Sequence, residues 1–496
     1  MEKELEDEVY DPDSLLLSSS LALHTCTTSI LMNKMKRFQA QIFLLVMIMM
    51  MSCQSDNKET TTESKTKPVQ LVTLDPGHFH AALVQKTMYD DVDSVAYVYA
   101  PEGNDLKLHL ERINSYNTRA ESPTKWKEEV YTGSDFFEKL IAEKKGNVIV
   151  LSGNNQKKTD YIFQSLQNGF NVFADKPMVI DTKGFDKLKE AFDIAAKNNV
   201  LLYDIMTERF EINTILQREL SMIPGIFGEQ EKGTIDNPAI TKESVHHFYK
   251  YVSGSVLTRP AWFMDVSQQG EGIVDVMTHL VDLVQWECFP GQTIDYTRDI
   301  AIDKARRWTT NMSLSEFKAI TKLDSFPSYF SNNIVSDSLL QVYCNGEINY
   351  QLKGVHAKTS VIWNYKAPEG TGDTHYSIMR GTKANLVIRQ GKEEKFKPVL
   401  YIEPLKNDAA LQTIVEQQFL KISTKFPGVE LYKTAKGWSV KLPEKLAEGH
   451  ESHFARVTDN FLEYLKNKNM PAWEVPNMLA KYYTTTKALE IALKKK

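Results

Sequence analysis

Residues 171–178 read NVFADKPM, a short apolar run that ends in an Asp-Lys-Pro-Met loop. Helical spacing precedes this run over residues 157–168 and follows it over residues 181–197. A short apolar run between two helical segments is typical of a buried strand in a parallel α/β sheet. The stretch therefore predicts a strand whose carboxyl end carries Asp175 and Lys176.

The alternation of strand and helix continues on both sides of that strand. The further helical stretches are residues 79–88 and 135–145, and the further strands are residues 71–74, 94–99, 147–151 and 200–203. This rhythm predicts a Rossmann-type, doubly wound parallel sheet over residues 69–212. Ligands of such a sheet bind at the carboxyl ends of its strands.

The second half of the chain, residues 213–496, has a different pattern. Side chains alternate between apolar and polar as in half-buried strands at residues 244–252, 339–350, 354–365 and 385–390. We expect an α+β domain with an open, mostly antiparallel sheet. The predicted fold class is therefore α/β, with an α+β domain after the Rossmann domain.

The composition excludes some classes of protein. The 496 residues carry a net charge of -5, and basic residues are interspersed with acidic ones. Without a basic stripe, nucleic acid is not an expected partner. Four cysteines in a chain of this length do not suggest a disulfide framework or a cysteine metal site.

The N-terminal region has the layout of a bacterial export signal. A basic segment precedes a short apolar run that ends at Cys53, and the run is too short to span a bilayer of about 30 Å. Cys53 resembles the acylated cysteine of a lipobox. We expect a signal peptide at residues 32–52, a lipid anchor at Cys53 and a disordered tether over residues 53–68. The protein would then lie at the cell envelope, and residues 1–31 would be an over-extended gene start.

The loop after the first predicted strand reads DPGHFHA at residues 75–81. A dinucleotide-binding fold carries its glycine fingerprint here, but only the middle glycine is present. Amides at the start of the next helix would face a diphosphate, whereas the Asp75 carboxylate opposes one unless it bonds amides or a histidine. A tight turn with a capping role explains this loop equally well. The candidate cofactor contacts are Gly77, His78, Phe79 and His80.

Loops after other strands supply more candidate cofactor contacts. Glu102, with Asp105 as the alternative, follows the second strand and would reach ribose hydroxyls. The remaining candidates are Asn154, Asn155, Lys158, Asp175, Lys176 and Pro177. Among these, Lys176 can stabilise an oxyanion or pass a proton, although an ordinary surface turn also explains an isolated Asp-Lys-Pro.

A second polar constellation lies at residues 269–283, QGEGIVDVMTHLVDL. Asp275, His279 and Asp282 recur at i, i+4 and i+7, which places them on one face of a helix. A histidine beside acids suits a general base. A divalent metal site and a satisfied polar seam are the alternatives, and we assign no metal.

The order of these motifs resembles the Gfo/Idh/MocA oxidoreductases. That family has a Glu-Lys-Pro loop, matched here by residues 175–177 with Asp for Glu. Its Gly-Gly-x-x-x-Asp-x-Gly-x-His-x-x-Asp helix is similar to residues 270–282, with Glu271 and Met277 in place of two glycines. Arg209-Phe210 and the GTKA turn at residues 381–384 also look like family motifs.

The resemblance implies roles for particular residues. Lys176 and His279 would transfer a proton at the substrate carbinol, Asp275 would orient the substrate, and Arg209 would contact it. It also implies a small-molecule carbohydrate substrate, a tightly bound NAD or NADP, and a second domain for substrate binding and oligomerisation, so a homo-oligomer is expected. The leading hypothesis is an NAD(P)-dependent oxidoreductase of a carbohydrate hydroxyl.

Two other functions compete with this hypothesis. In an NAD-assisted glycoside hydrolase of the same family, transient oxidation permits elimination of the glycosidic bond. A non-catalytic sugar-binding lipoprotein would keep the fold without the cofactor. Export favours a cofactor that stays bound and recycles, because free NAD is scarce outside the cytoplasm.

Overall fold

The computed structural model describes residues 69–494, except 253, 254, 337, 407 and 408. The expected signal peptide, the anchor Cys53 and the tether therefore lie outside the described residues. Among the helices that are described, none is long and apolar enough to cross a membrane.

The first domain is built on a six-stranded parallel sheet. Its strands are β1 (Leu71–Leu74), β2 (Val95–Tyr99), β3 (Lys127–Tyr131), β4 (Val148–Leu151), β5 (Asn171–Asp175) and β6 (Leu202–Ile205). They lie in the order β3-β2-β1-β4-β5-β6, and all neighbours pair in parallel. This doubly wound order confirms the predicted Rossmann fold.

The helices of this domain differ from the prediction at one point that matters. They are α1 (His80–Leu83), α2 (Asn104–Thr118), α3 (Phe136–Glu143), α4 (Asn155–Gln167) and α5 (Thr182–Asn198). The prediction of a helix over residues 79–88 is wrong, because α1 is a single turn. The Gln85 and Lys86 amides bond the carbonyls three residues earlier, at 3.0 and 3.2 Å, and so tighten and end the turn.

One strand and one helix of the first domain were not predicted. β3 reads KEEVY, and its side chains are exposed or only partly buried because it is an edge strand. Its sequence therefore has no apolar run to detect. α2 follows Gly103 and buries Leu106, His109 and Ile113, a narrow apolar face among many polar residues.

The second domain contains a ten-stranded sheet. Its strands are β7 (Ile240–Tyr249), β10 (Ile300–Ser313), β11 (Ile334–Val335), β12 (Leu339–Leu352), β13 (Val355–Lys366), β14 (Thr374–Arg380), β15 (Ala384–Arg389), β16 (Val399–Pro404), β17 (Glu430–Thr434) and β18 (Gly437–Lys441). The pairing is antiparallel except between β13 and β7, which confirms the mostly antiparallel prediction. β8 (Tyr251–Val252) and β9 (Ser255–Val256) form a separate ribbon.

The second half of the chain also contains helices, and the last two of them pack against the first domain. They are α6 (Ile212–Ser221), α7 (Val266–Gln269), α8 (Met277–Cys288), α9 (Leu314–Thr321), α10 (Ala409–Lys425), α11 (His450–Asn467) and α12 (Glu474–Lys494), with 3-10 turns at Thr207–Phe210, Ala261–Met264, Ser328–Asn333 and Glu444–Leu446. α11 and α12 return to the first domain, where Phe454, Phe461 and Tyr482 join its core. The start of α8 thereby faces the carboxyl ends of β1 and β5.

Candidate active site

A cavity of about 370 Å³ lies where the ends of β1 and β5 meet the start of α8 and the β7–β14 pair. This volume is within the range of small-molecule sites, about 300–1,000 Å³. Of the predicted residues, the cavity is lined by His78, Phe79, His80, Asn155, Asp175, Lys176, Asp275 and His279. The structure therefore brings residues 78–176 of the first domain together with Asp275 and His279 of the second.

A buried ion pair forms one wall of this cavity. The Lys176 ammonium donates to Asp275 Oδ1 at 2.6 Å, and the Gln269 amide donates to Asp275 Oδ2 at 3.0 Å. Burial would raise the pKa of Asp275, but the Lys176 charge and these hydrogen bonds lower it below its usual value. Asp275 is thus a carboxylate that orients the Lys176 ammonium toward the cavity.

His279 provides a neutral base next to this pair. Burial, together with the Lys176 charge, lowers the pKa of His279 to about 4. Its Nδ1 is buried and has no hydrogen-bond partner among the described residues. His279 lines the cavity, and a neutral imidazole there can accept a proton from a substrate hydroxyl.

Asp175, the acid of the Asp-Lys-Pro loop, is surrounded by donors. Its Oδ2 accepts from His80 Nδ1 and from the Ser152 hydroxyl, both at 2.9 Å, and His78 Nδ1 lies 3.5 Å from it. Burial would raise the pKa of Asp175, but the histidines and the Lys158 charge hold it well below the usual value. Burial lowers the pKa of both His78 and His80, so each is a neutral imidazole beside a carboxylate.

The other predicted cofactor contacts lie outside the cavity, and two of them form bonds within the protein. Lys158 is buried and donates to the Asp175 backbone oxygen at 3.0 Å, and burial lowers its pKa to about 8. The Asn154 side chain caps α4 and donates to Gln268 at 2.7 Å. Pro177 follows a cis peptide bond after Lys176, and Glu102 is exposed beyond β2. Of these, none lines the cavity.

The interpretation of Arg209 as a substrate contact is wrong. Its guanidinium binds Asp282 at 2.6 and 2.7 Å and Glu474 at 2.9 and 3.1 Å, which uses its donors inside the protein. The single-face prediction for residues 275, 279 and 282 is also wrong. Asp275 precedes the first turn of α8, and Asp282 faces Arg209 and Lys481 rather than the cavity. These residues therefore do not form a metal site together.

The groove for a cofactor diphosphate is closed at the β1 loop. The Gly77 and His78 amides, which would face a diphosphate, donate instead to the Ser152 carbonyl at 3.2 and 3.1 Å. A Cβ added to Gly77 would lie 2.8 Å from Trp262 Cζ2 and 3.2 Å from Asp105 Oδ2. The Trp262 indole donates to that Asp105 oxygen at 2.9 Å, so an indole covers the glycine where a diphosphate would lie.

The charge and volume of this groove also oppose a dinucleotide. Asp75 lies in the loop and accepts from the Tyr161 hydroxyl at 3.1 Å, so its carboxyl group has no loop histidine as a hydrogen-bond partner. Asp105 adds a second carboxyl group, and the cleft beside Gly77 holds only about 20 Å³. With α1 reduced to one turn, little helix dipole remains to offset these acids. The residues present do not fit NAD or NADP in this groove, and we derive no step through either.

Several cavity residues were not identified from the sequence. Asp373 accepts from Lys250 at 2.9 Å and from His247 at 3.1 Å, and Glu208 pairs with His450 at 3.3 Å. Arg259 is buried beside Phe263. They lie on strands and loops far apart in sequence, so no local pattern links them. His246 and His375 also line the cavity.

Both domains match known sequence families. Residues 99–204 match "Oxidoreductase family, NAD-binding Rossmann fold", of the Gfo/Idh/MocA type, and this match begins after the β1 loop. Residues 216–493, more than half of the chain, match "Putative oxidoreductase C terminal domain". Among curated proteins none matches the chain.

Solved structures extend this similarity over the whole body. A "putative oxidoreductase" from Parabacteroides merdae is 56% identical, with 87% of this chain and 98% of that chain covered and a TM-score of 0.85. The 3-ketoreductase KijD10 from Actinomadura kijaniata, solved with NADP and TDP-benzene, is 12% identical, with coverage of 86% and 97% and a TM-score of 0.52. A biliverdin reductase from Synechocystis, solved with biliverdin and NADP+, is 10% identical, with coverage of 86% and 99% and a TM-score of 0.51.

The fold and the matches define an oxidoreductase-type protein with an NAD-binding Rossmann fold and a sheet-based second domain. The chain belongs to the Gfo/Idh/MocA oxidoreductase family, as its motifs indicate, with this C-terminal domain. The two distant structures share only the fold, and their different ligands show that the fold does not select the substrate.

Proposed function

We propose that this family member acts on a hydroxyl-bearing carbon of a carbohydrate, with Lys176, Asp275 and His279 moving the hydroxyl proton. The buried Lys176–Asp275 pair at 2.6 Å, together with His279 in the lining of the same ligand-sized cavity, carries this proposal. These residues lie at the positions that the family motifs assign to carbinol chemistry.

The three side chains have complementary tasks in proton transfer. His279 is neutral and accepts the proton as the carbinol becomes a carbonyl. The Lys176 ammonium stabilises the negative charge that develops on the oxygen, and Asp275 holds that ammonium in place. In the reverse direction the same groups return the proton. Oxidation of the carbinol also releases a hydride, which needs a two-electron acceptor. Because the Gly77 groove does not fit a dinucleotide, we propose an acceptor of another class, such as a quinone, that enters the cavity beside the substrate and takes the hydride.

The rest of the cavity suits a polyhydroxylated ligand. Donors and acceptors surround it, among them Ser244, Gln269, Thr374 and Gln390. The Trp363 ring also lines it, and an aromatic face commonly packs against the apolar face of a sugar. A small carbohydrate, which has both hydroxyl groups and an apolar C–H face, is compatible with this mixture of polar and apolar side chains.

A carbohydrate panel tests the proposed function. Calorimetric titration identifies a ligand. Trapping of the new carbonyl group then follows its conversion with a quinone-type redox dye as the two-electron acceptor, and with NAD+ or NADP+ in its place. We expect Lys176→Met and His279→Gln to abolish conversion while His356→Gln, outside the cavity, leaves it intact. Conversion that survives both cavity substitutions contradicts the proposal. A strict requirement for added NAD+ or NADP+ would instead contradict the conclusion that the Gly77 groove is closed to a dinucleotide.

We also propose that the protein is a lipoprotein of the cell envelope, anchored through Cys53. The basic segment, the short apolar run and the polar tether around this cysteine support that proposal. Metabolic labelling with a radioactive fatty acid tests it directly. We expect label on the wild type and none on Cys53→Ser, whereas label on both would contradict the anchor.

A further inference from the structure

The β1 loop that departs from the glycine fingerprint places two histidines beside a carboxylate. His78, His80 and Asp175 each offer one ligand atom, and these atoms all lie within 4.8 Å of one another. No other group of three such side chains this close occurs among the described residues. We propose that this triad, called here the His-Asp triad, binds a divalent transition-metal ion at one end of the cavity.

The distances within the triad match those around a metal ion. Asp175 Oδ2 lies 2.9 Å from His80 Nδ1 and 3.5 Å from His78 Nδ1. Nitrogen and oxygen ligands bind Zn²⁺ at about 2.0–2.2 Å, so neighbouring ligand atoms of one ion lie about 3–3.5 Å apart. An ion can therefore bind with only small side-chain shifts. His78 Nδ1, buried and without a hydrogen-bond partner in the described structure, is available as a ligand.

Neighbouring side chains support the carboxylate in the way that outer groups support metal ligands. The Ser152 hydroxyl donates to Asp175 Oδ2, and the Lys158 ammonium donates to the Asp175 backbone oxygen. Such bonds fix the orientation of a ligating carboxylate. Asp175 itself is 3% exposed, which leaves the cavity side of the triad as the direction from which an ion enters.

The cations near the triad do not compete with a metal ion for Asp175 Oδ2. Lys176 pairs with Asp275 at 2.6 Å. Arg259 donates to the Phe248 backbone oxygen at 3.1 Å and lies over the Phe263 ring. Lys158 binds the backbone of Asp175 rather than its carboxylate. Each of these positive charges has a partner of its own.

Two histidines and one carboxylate leave coordination positions open. Sites with open positions bind substrate oxygen and act as Lewis acids, whereas structural sites are filled by protein ligands. Both histidines and Lys176 line the same cavity. The ion would therefore bind a hydroxyl or carbonyl oxygen of the carbohydrate next to Lys176, and only this substrate contact rests on the proposed function. The donor set suits Zn²⁺, Mn²⁺, Co²⁺ or Fe²⁺.

Metal titration of the full chain, purified without a histidine tag and stripped with a chelator, tests the triad. We expect about one Co²⁺ or Zn²⁺ per chain, with visible Co²⁺ absorption and a rise in thermal stability. His78→Gln and His80→Gln should each weaken binding at least about tenfold. His356→Gln is the matched control, because His356 lies 3.4 Å from Asp303 without a third ligand.

The outcomes separate the metal site from the proposed function. Absence of saturable binding, or binding that both substitutions leave unchanged, overturns the site. If His80→Gln fails to fold by circular dichroism, His78→Gln decides, because the His78 side chain is more exposed. Carbohydrate binding by the stripped protein, lost in Lys176→Met, would keep the proposed function if the metal site fails. If the protein binds the metal ion but no carbohydrate of the panel, the metal site is kept and the proposed function is contradicted.

Discussion

Two loops at the same edge of the first sheet compare differently with the family motifs. The β5 loop keeps a lysine that reaches across to Asp275 of the second domain. The β1 loop has lost two glycines, and its amides bond Ser152 while Trp262 covers Gly77. The end of the site that we propose for proton transfer therefore keeps its family residues, whereas the diphosphate end is closed.

The comparison shows why a shared fold is a weak guide to the cofactor. Both loops lie where a Rossmann sheet binds its ligands, and the backbone topology is that of the family. A few side chains determine what each loop can hold. The following predictions test how far the two loops differ.

Substitution of Lys176 should have the largest effect. Lys176→Met removes oxyanion stabilisation and proton transfer, so we expect kcat/KM to fall by about 10²–10⁴. It also leaves Asp275 buried without its cation, which costs stability. The double substitution Lys176→Met/Asp275→Asn should recover stability but not activity, as measured by urea unfolding and turnover. Recovery of turnover in the double variant would show that the pair is only structural.

Arg209 should be almost as sensitive, but in stability rather than chemistry. Arg209→Met leaves Asp282 and Glu474 short of a buried partner, and we expect a loss of about 3–5 kcal/mol in the free energy of unfolding. Arg298→Met is the control and should change little, because the Arg298 side chain is 73% exposed. A stable Arg209 variant with weakened carbohydrate affinity would restore this residue to the substrate site.

His279 should set an acid limit well below that of an ordinary histidine. Its pKa is lowered to about 4 by burial and by the Lys176 charge, so the neutral base persists until the pH falls toward that value. Between that value and the usual 6.5 the unfolded state binds more protons, so stability should rise with pH from about 4 to 6.5. His279→Gln should flatten that rise in denaturant titrations across this range. An acid limb of kcat/KM near pH 6.5 would contradict the assignment.

Substitution of Trp262, which covers Gly77 in the β1 loop, should have the smallest effect, a change in NAD+ binding. Trp262→Ala opens the space next to Gly77, and we expect weak NAD+ binding to appear by calorimetry. Trp262→Phe keeps a ring over the glycine and should bind no NAD+, as we expect for the wild type. Binding of NAD+ by the wild type, equal to that of the alanine variant, would show that the indole does not close the groove.

Much of the fold could be predicted because apolar runs and helical spacing record burial. β1, β4 and β5 are short buried runs, and the alternation along β12 and β13 marks a sheet. The edge strand β3 escaped detection because it is mostly exposed. α1 was predicted too long because spacing shows amphipathicity, not where hydrogen bonding stops.

The candidate site was predicted where a motif is local and missed where it is not. Lys176, Asp275 and His279 belong to sequence motifs, and they meet in the cavity. Arg209 also belongs to a motif, yet its partner Glu474 lies 265 positions away and draws it into the interior. The approach of Trp262 to Gly77 likewise depends on tertiary packing, which no local pattern records.

A crystal structure of the wild type soaked with its carbohydrate ligand and NAD+ tests the difference between the two loops most directly. We predict sugar density within hydrogen-bond distance of Lys176 and His279, with Trp262 still over Gly77 and no dinucleotide beside it. Density for a diphosphate along Gly77, with Trp262 displaced, would contradict the closed groove and return the hydride to a bound nucleotide.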